Sequence, residues 1–138
     1  MTDDARASAV PEAGSLTPEQ RELVLRHLPV DVSLMDAEHV LVYWRGTTFD
    51  DCDEKSIGRH IDDCHNPQSR VSIAKLVDAF TAGRRDEAVF WCVEDGRQKV
   101  TRYTAVRDAD GAYRGMMETI IDLTALEGYR GTGNTIDW

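Results

Sequence analysis

Cys64 and His65 stand side by side directly before Asn66-Pro67, with His60 four residues ahead of Cys64 and Cys52 further back. Thiolate and neutral imidazole are the usual protein ligands of zinc and of haem iron. Yet no two cysteines form a C-x-x-C pair. A Cys52/His60/Cys64/His65 set could close on a metal only if the intervening loop folded back. The reading adopted is therefore not a metal site. A histidine beside a helix start hydrogen-bonds the loop backbone, and a free cysteine packs as a small apolar group. Asp50-Asp51-Cys52-Asp53 is acidic but is no calcium loop, since it lacks the alternating oxygen ligands, the central Gly and the closing Glu. It reads as a solvated acidic segment.

Four further residues carry polar chemistry in an apolar setting. Trp91 and Tyr103 fall on adjacent strands if Asp95-Gly96 is a two-residue hairpin turn, which sets Trp91 opposite Val100 and Ala88 opposite Tyr103. An aromatic ring with a polar handle suits a ligand pocket as well as a core. Arg102 shares the Trp91 face and is expected to be an ion-pair partner, with Glu118 as the candidate, or an anchor for an acidic ligand. Glu118 is a lone acid in the run MMETII, and one carboxylate is not an acid/base pair. No nucleophile with a local base, no P-loop and no dinucleotide fingerprint is present. The chain is read as a non-enzyme with no catalytic residues.

Local signals mark the secondary structure around these groups. Thr17, Pro18 and Gln20 form a capping box with proline at the first helical position. Leu23, Val24, His27 and Leu28 then make one stripe, and Pro29 ends the helix. Val30 to Met35 and Val40 to Trp44 read as strands around the turn 36–39. Arg45 to Lys55 reads as loop with one helical turn, and Ser56 to Cys64 as a short helix entered through Gly58. Asn66 caps a helix that starts at Pro67, carries Ile73, Leu76, Val77 and Phe80 on one face, and closes at Gly83. Ala88 to Val93, Val100 to Val106 and Tyr113 to Leu123 form an antiparallel meander. MMETII is apolar on both parities, so each face of the sheet there needs a cover.

The chain has 138 residues, enough for one domain, with 16 basic and 25 acidic residues and a net charge of −9. Such a balance argues against binding nucleic acid or an anionic membrane surface. No apolar run has the length of a bilayer span, and the start MTDDARASAVPEAG is not a secretory signal. Three cysteines, an odd number, argue against a disulfide framework and for the cytoplasm.

The order of elements, helix, two strands, short helices, a longer helix and a three-stranded meander, resembles the PAS fold: α+β, a five-stranded antiparallel sheet with helices on one face and an N-terminal helix. Asp108-Ala109-Asp110-Gly111 followed by Tyr113-Arg114-Gly115 is similar to the D-x-x-G-x-x-x-G stretch joining the last two PAS strands. Asp122-Leu123-Thr124 is similar to the D-I-T motif that ends the last strand. Leu28-Pro29-Val30-Asp31, Ile57-Gly58-Arg59, Cys64-His65-Asn66-Pro67-Gln68-Ser69 and Ala105-Val106-Arg107-Asp108 resemble a bacterial PAS subfamily often attached to hemerythrin-like domains. That subfamily usually reads C-H-P-P-K-S, and here Asn66 replaces the first Pro and Gln68 the Lys.

The resemblance implies a stand-alone sensory domain over residues 16–129, between a disordered tail at 1–15 and a flexible tail at 130–138. It implies an unidentified small molecule held between helix and sheet by His65, Cys64, Tyr103, Arg102 and Trp91. Of these, His65 is expected to donate a hydrogen bond to the pocket. It implies homodimerisation, with Leu23 and Val24 covering the outer sheet face or meeting their own copy. A change would pass through Asp122 and Thr124 to a signalling protein. A dimerisation module without ligand, and a haem or redox sensor, are the alternatives.

Overall fold

The computed structural model describes residues 13–46, 54–129 and 133. The expected tails at 1–15 and 130–138 therefore lie largely outside the described residues, as do Cys52 and most of the acidic loop. Helix α1 spans Pro18–His27, and its capping box is complete: Thr17 Oγ1 accepts from Gln20 N at 3.2 Å and Gln20 Oε1 accepts from Thr17 N at 2.9 Å. Strand β1 covers Asp31–Asp36 and β2 covers Leu41–Arg45, joined by a turn in which Asp36 Oδ1 accepts from the backbone N–H of Glu38 and of Val40. Two short 3₁₀ turns follow, Glu54–Ser56 and Ile61–Cys64. The second is shorter and tighter than the helix expected over Ser56 to Cys64, because His60 caps it through Asp62 N and Gly58 upstream is held at φ +86°.

Helix α2 spans Pro67–Thr81, with Asn66 Oδ1 accepting from Ser69 N at 2.9 Å. The meander is β3 at Glu87–Glu94, β4 at Arg97–Arg107 and β5 at Tyr113–Asp122. Asp95 and Gly96 turn with φ of 51° and 74°, the geometry that matches strand twist in a two-residue hairpin. All pairings are antiparallel, and the sheet order is β2-β1-β5-β4-β3, which puts β5 at the centre.

The core lies between α2 and one face of the sheet. Ile73 and Phe80 from α2 meet Met35, Leu41, Ile61 and Met116, and Phe80 and Met116 are wholly buried. Arg107 locks this layer shut, donating from Nε to Asp86 at 2.7 Å and from its terminal nitrogen to the Phe80 carbonyl at 2.8 Å. The opposite sheet face behaves differently. No residue of α1 is buried, so the Leu23/Val24 stripe does not cover the sheet within one chain. Its C-terminal end is only tethered, Arg45 donating to the carbonyls of Leu28 and Val30.

Candidate functional site

A cavity of about 460 Å³ lies between α2 and the sheet, beside the core. Its floor is built on a cross-strand row. Ala88 on β3, Tyr103 on β4, Glu118 on β5, Ser33 on β1 and Trp44 on β2 are successive register partners, and all five line the cavity. A second row, Phe90, Thr101, Ile120 and Asp31, extends the floor. The roof is α2, through Ser69, Ser72, Ile73 and Leu76. These recur at i, i+3, i+4 and i+7, one helical face.

That face explains why the space exists. Towards its C-terminal end α2 presents Leu76, Val77 and Phe80, which join the core. In its first two turns the same stripe continues as Ser69 and Ser72. Two small side chains stand where large apolar ones would fill the gap, and Ser33 and Ala88 are equally small on the floor. The sequence signal was the stripe itself, extended one turn towards the N-terminus.

Cys64 and His65 form the wall at the entry to α2. Nδ1 of His65 lies 2.8 Å from the Ile61 carbonyl. A carbonyl only accepts, so Nδ1 carries the proton and Nε2 is the acceptor of the neutral ring. The expected hydrogen bond donated by His65 is therefore made to backbone, and the nitrogen left for other partners accepts. The backbone C=O of His65 in turn accepts from Arg70 Nε at 3.0 Å.

The structure separates the five residues expected around a ligand. Cys64, His65 and Tyr103 line the cavity. Arg102 and Trp91 do not. Successive strand residues face opposite sides, so if Tyr103 faces α2 then Arg102 faces outward, as do Val100 and its register partner Trp91. Trp91 is 67% exposed, and Arg102 pairs with Glu87 at 3.4 Å, not with Glu118. Asp122 and Thr124 lie away from the cavity and splice the sheet. Asp122 Oδ1 accepts from Thr124 N at 3.0 Å, its other oxygen pairs with Arg97, and Thr124 Oγ1 accepts from Gln98 N at 2.7 Å. Burial works against the charge on Asp122, but the Arg97 hydrogen bond and the backbone N–H groups hold its carboxyl below the usual range.

Glu118, outside the expected ligand set, occupies the centre of the floor. Its side chain keeps some accessible surface because it faces the cavity, yet the surrounding protein displaces bulk water. That desolvation pushes its carboxyl up to about 7. Among the described residues no group donates a hydrogen bond to it, and no three His, Cys, Asp or Glu side chains are placed to hold a metal ion.

A five-stranded antiparallel sheet in the order β2-β1-β5-β4-β3, with α2 laid over a cavity on one face, is the PAS architecture. A family model of the PAS domain matches residues 22–124, and the chain belongs to that family. No curated protein matches. Among solved structures, the C-terminal domain of a Streptococcus mutans protein is 25% identical, with a TM-score of 0.76, over 88% of this chain and 96% of that one. The PAS domain of a Colwellia psychrerythraea protein is 13% identical with a TM-score of 0.57, over 78% of this chain and 97% of that one. A sensory box sensor histidine kinase from Vibrio cholerae is 14% identical with a TM-score of 0.52, over 74% of this chain and 86% of that one. No helix among the described residues is long and apolar enough to cross a membrane.

Proposed function

We propose that this PAS domain is a cytoplasmic sensor that holds a small molecule between α2 and the sheet and reports its presence to a protein partner, without catalysis. The observation that carries the reading is the cavity of about 460 Å³ with polar groups on floor, wall and roof. Pockets of this size suit small ligands, and protein interiors otherwise leave few voids larger than a water molecule. Cys64, His65 and Tyr103 line it, and Glu118 replaces Arg102 and Trp91 in the expected set. Asp122 and Thr124 couple the end of β5 to the β3–β4 hairpin through Arg97 and Gln98. That linkage suits them to pass a change in the sheet to the segment that follows. The motif around Cys64-His65-Asn66-Pro67 supports membership of the PAS subfamily attached to hemerythrin-like domains.

Native mass spectrometry of protein purified from its own host tests this directly. A discrete co-purifying mass, lost on denaturation, is the expected result. Absence of any bound mass, together with tolerance of large apolar residues at Ser69 and Ser72, favours the dimerisation module instead. Visible absorbance of the purified protein would favour the haem sensor.

The exposed apolar stripe of α1 supports the homodimer. Leu23 and Val24 are 47% and 46% exposed, and no residue of the helix is buried. A helix with that pattern gains from a partner surface.

A further inference from the structure

We infer that the cavity selects a small organic ammonium compound, a protonated amine, whose N–H groups seat on the Glu118 carboxylate. This rests on the reading of the cavity as a ligand site and names the chemistry it takes. Charge on the walls is one-sided. Asp31 and Glu118 bring carboxyl groups, and among the described residues no lysine or arginine lines the cavity. An anionic ligand would find no counter-charge there. The hydrogen-bonding capacity is biased the same way, because His65 Nδ1 is committed to the Ile61 carbonyl and Nε2 of the neutral ring accepts.

Glu118 is the centre of this bias. It sits on the central strand between Tyr103 and Ser33, its register partners, and no described residue donates to its carboxyl. A desolvated carboxyl without a donor is costly as an anion and is relieved most by a cationic donor. Its proton equilibrium agrees with the geometry: with the carboxyl at about 7, ammonium binding displaces a proton near neutrality. Among the described residues, the other titratable side chains lining the cavity with it are Asp31 from β1, Cys64 and His65 from the wall, and Tyr103 from β4. Helix α2 contributes only the hydroxyls of Ser69 and Ser72, β2 the indole of Trp44, and β3 no titratable group.

The test uses three probes of one shape: phenethylamine, 2-phenylethanol and 3-phenylpropionate. Each is titrated into the full chain while amide resonances of the cavity residues are followed by NMR. The amine is expected to bind tightest. Its affinity should rise about tenfold from about pH 6 to about pH 8 as Glu118 ionises. Histidines also change charge in this range, so the His65→Gln variant, which should keep most of that rise, separates the two groups. Glu118→Gln should weaken the amine by roughly ten- to a hundredfold and leave the alcohol unchanged. The wild-type pH dependence stands as an independent readout if that variant folds poorly. Equal binding of amine and alcohol, tighter binding of the carboxylate, or an amine insensitive to Glu118→Gln overturns the ammonium assignment while leaving a ligand-binding cavity. No shift with any probe also overturns it, and the co-purifying mass then decides the cavity reading separately.

Discussion

Gly115 lies flat against the Met35 carbonyl, so close that a Cβ on Gly115 would overlap that oxygen. The two residues sit beside the central pairing of β1 with β5, where Met35 pairs with Met116 and Asp36 with Gly115. Gly115 also holds φ at +145°, a backbone region that side chains rarely enter. Gly115→Ala therefore meets both a clash with backbone and strain. We expect a loss on the order of 3 kcal/mol or more, read as a lowered urea midpoint or failure to accumulate folded protein. Gly111→Ala should cost much less, since its φ is positive but nothing lies within contact of a Cβ there.

Glu118 makes stability depend on pH in the direction opposite to most carboxylates. Its folded carboxyl sits at about 7 against an ordinary 4.5, so the folded state binds the extra proton. Stability from this group is full below about pH 4.5 and falls as pH rises through the window up to about 7. The loss is up to about 3 kcal/mol across that window. Glu118→Gln removes the ionisation with nearly the same shape. It should flatten that decline and be the more stable protein at about pH 8, as urea unfolding at several pH values would show. An unchanged profile would mean that water reaches the carboxyl freely.

The sheet was legible in the sequence because its signals are local. Asp95-Gly96 fixes the hairpin, and counting outward from it gives the observed pairs of Trp91 with Val100 and Ala88 with Tyr103. The same counting already places Arg102 and Trp91 on the face away from Tyr103, so grouping Tyr103 and Arg102 in one pocket conflicts with the strand period. Glu118 was visible as a lone acid but not as the floor of a site. Its neighbours Ser33 and Trp44 come from β1 and β2, more than seventy residues away in sequence, and no local pattern reports that adjacency. The apolar outer parity of MMETII marks a face that needs cover. Within one chain α1 does not supply it, and Ile121 stays 37% exposed.

His65 fixes the wall of the cavity through one hydrogen bond from Nδ1 to the Ile61 carbonyl, four residues back. An asparagine side chain carries an N–H on a similar position, whereas alanine leaves the carbonyl without this donor. His65→Ala should lower stability by about 1 kcal/mol, and His65→Asn by less. If the bond orients the entry to α2, the backbone amides of Ser69 and Ser72 should shift in NMR spectra of the alanine variant and not of the asparagine one. Equal stability of all three proteins would reduce His65 to a bystander.

Leu23 and Val24 lie on a helix that is capped at Thr17, tethered by Arg45, and otherwise unpacked. A ten-residue helix is marginal on its own in water. Its capping box adds about 1 kcal/mol, and the exposed Glu22–Arg26 pair at 2.5 Å adds little more. An apolar stripe of this kind becomes worthwhile when a second surface removes it from water, at roughly 25 cal/mol per Å². A second copy of the chain brings both a matching α1 stripe and the exposed outer residues Val89, Trp91 and Val93. The Leu23→Asp, Val24→Asp double variant should shift light-scattering mass from dimer towards monomer and leave the cavity resonances of Tyr103 and Glu118 in place. A double variant that stays dimeric would place the interface elsewhere, and a wild-type monomer at high concentration would remove the dimer altogether.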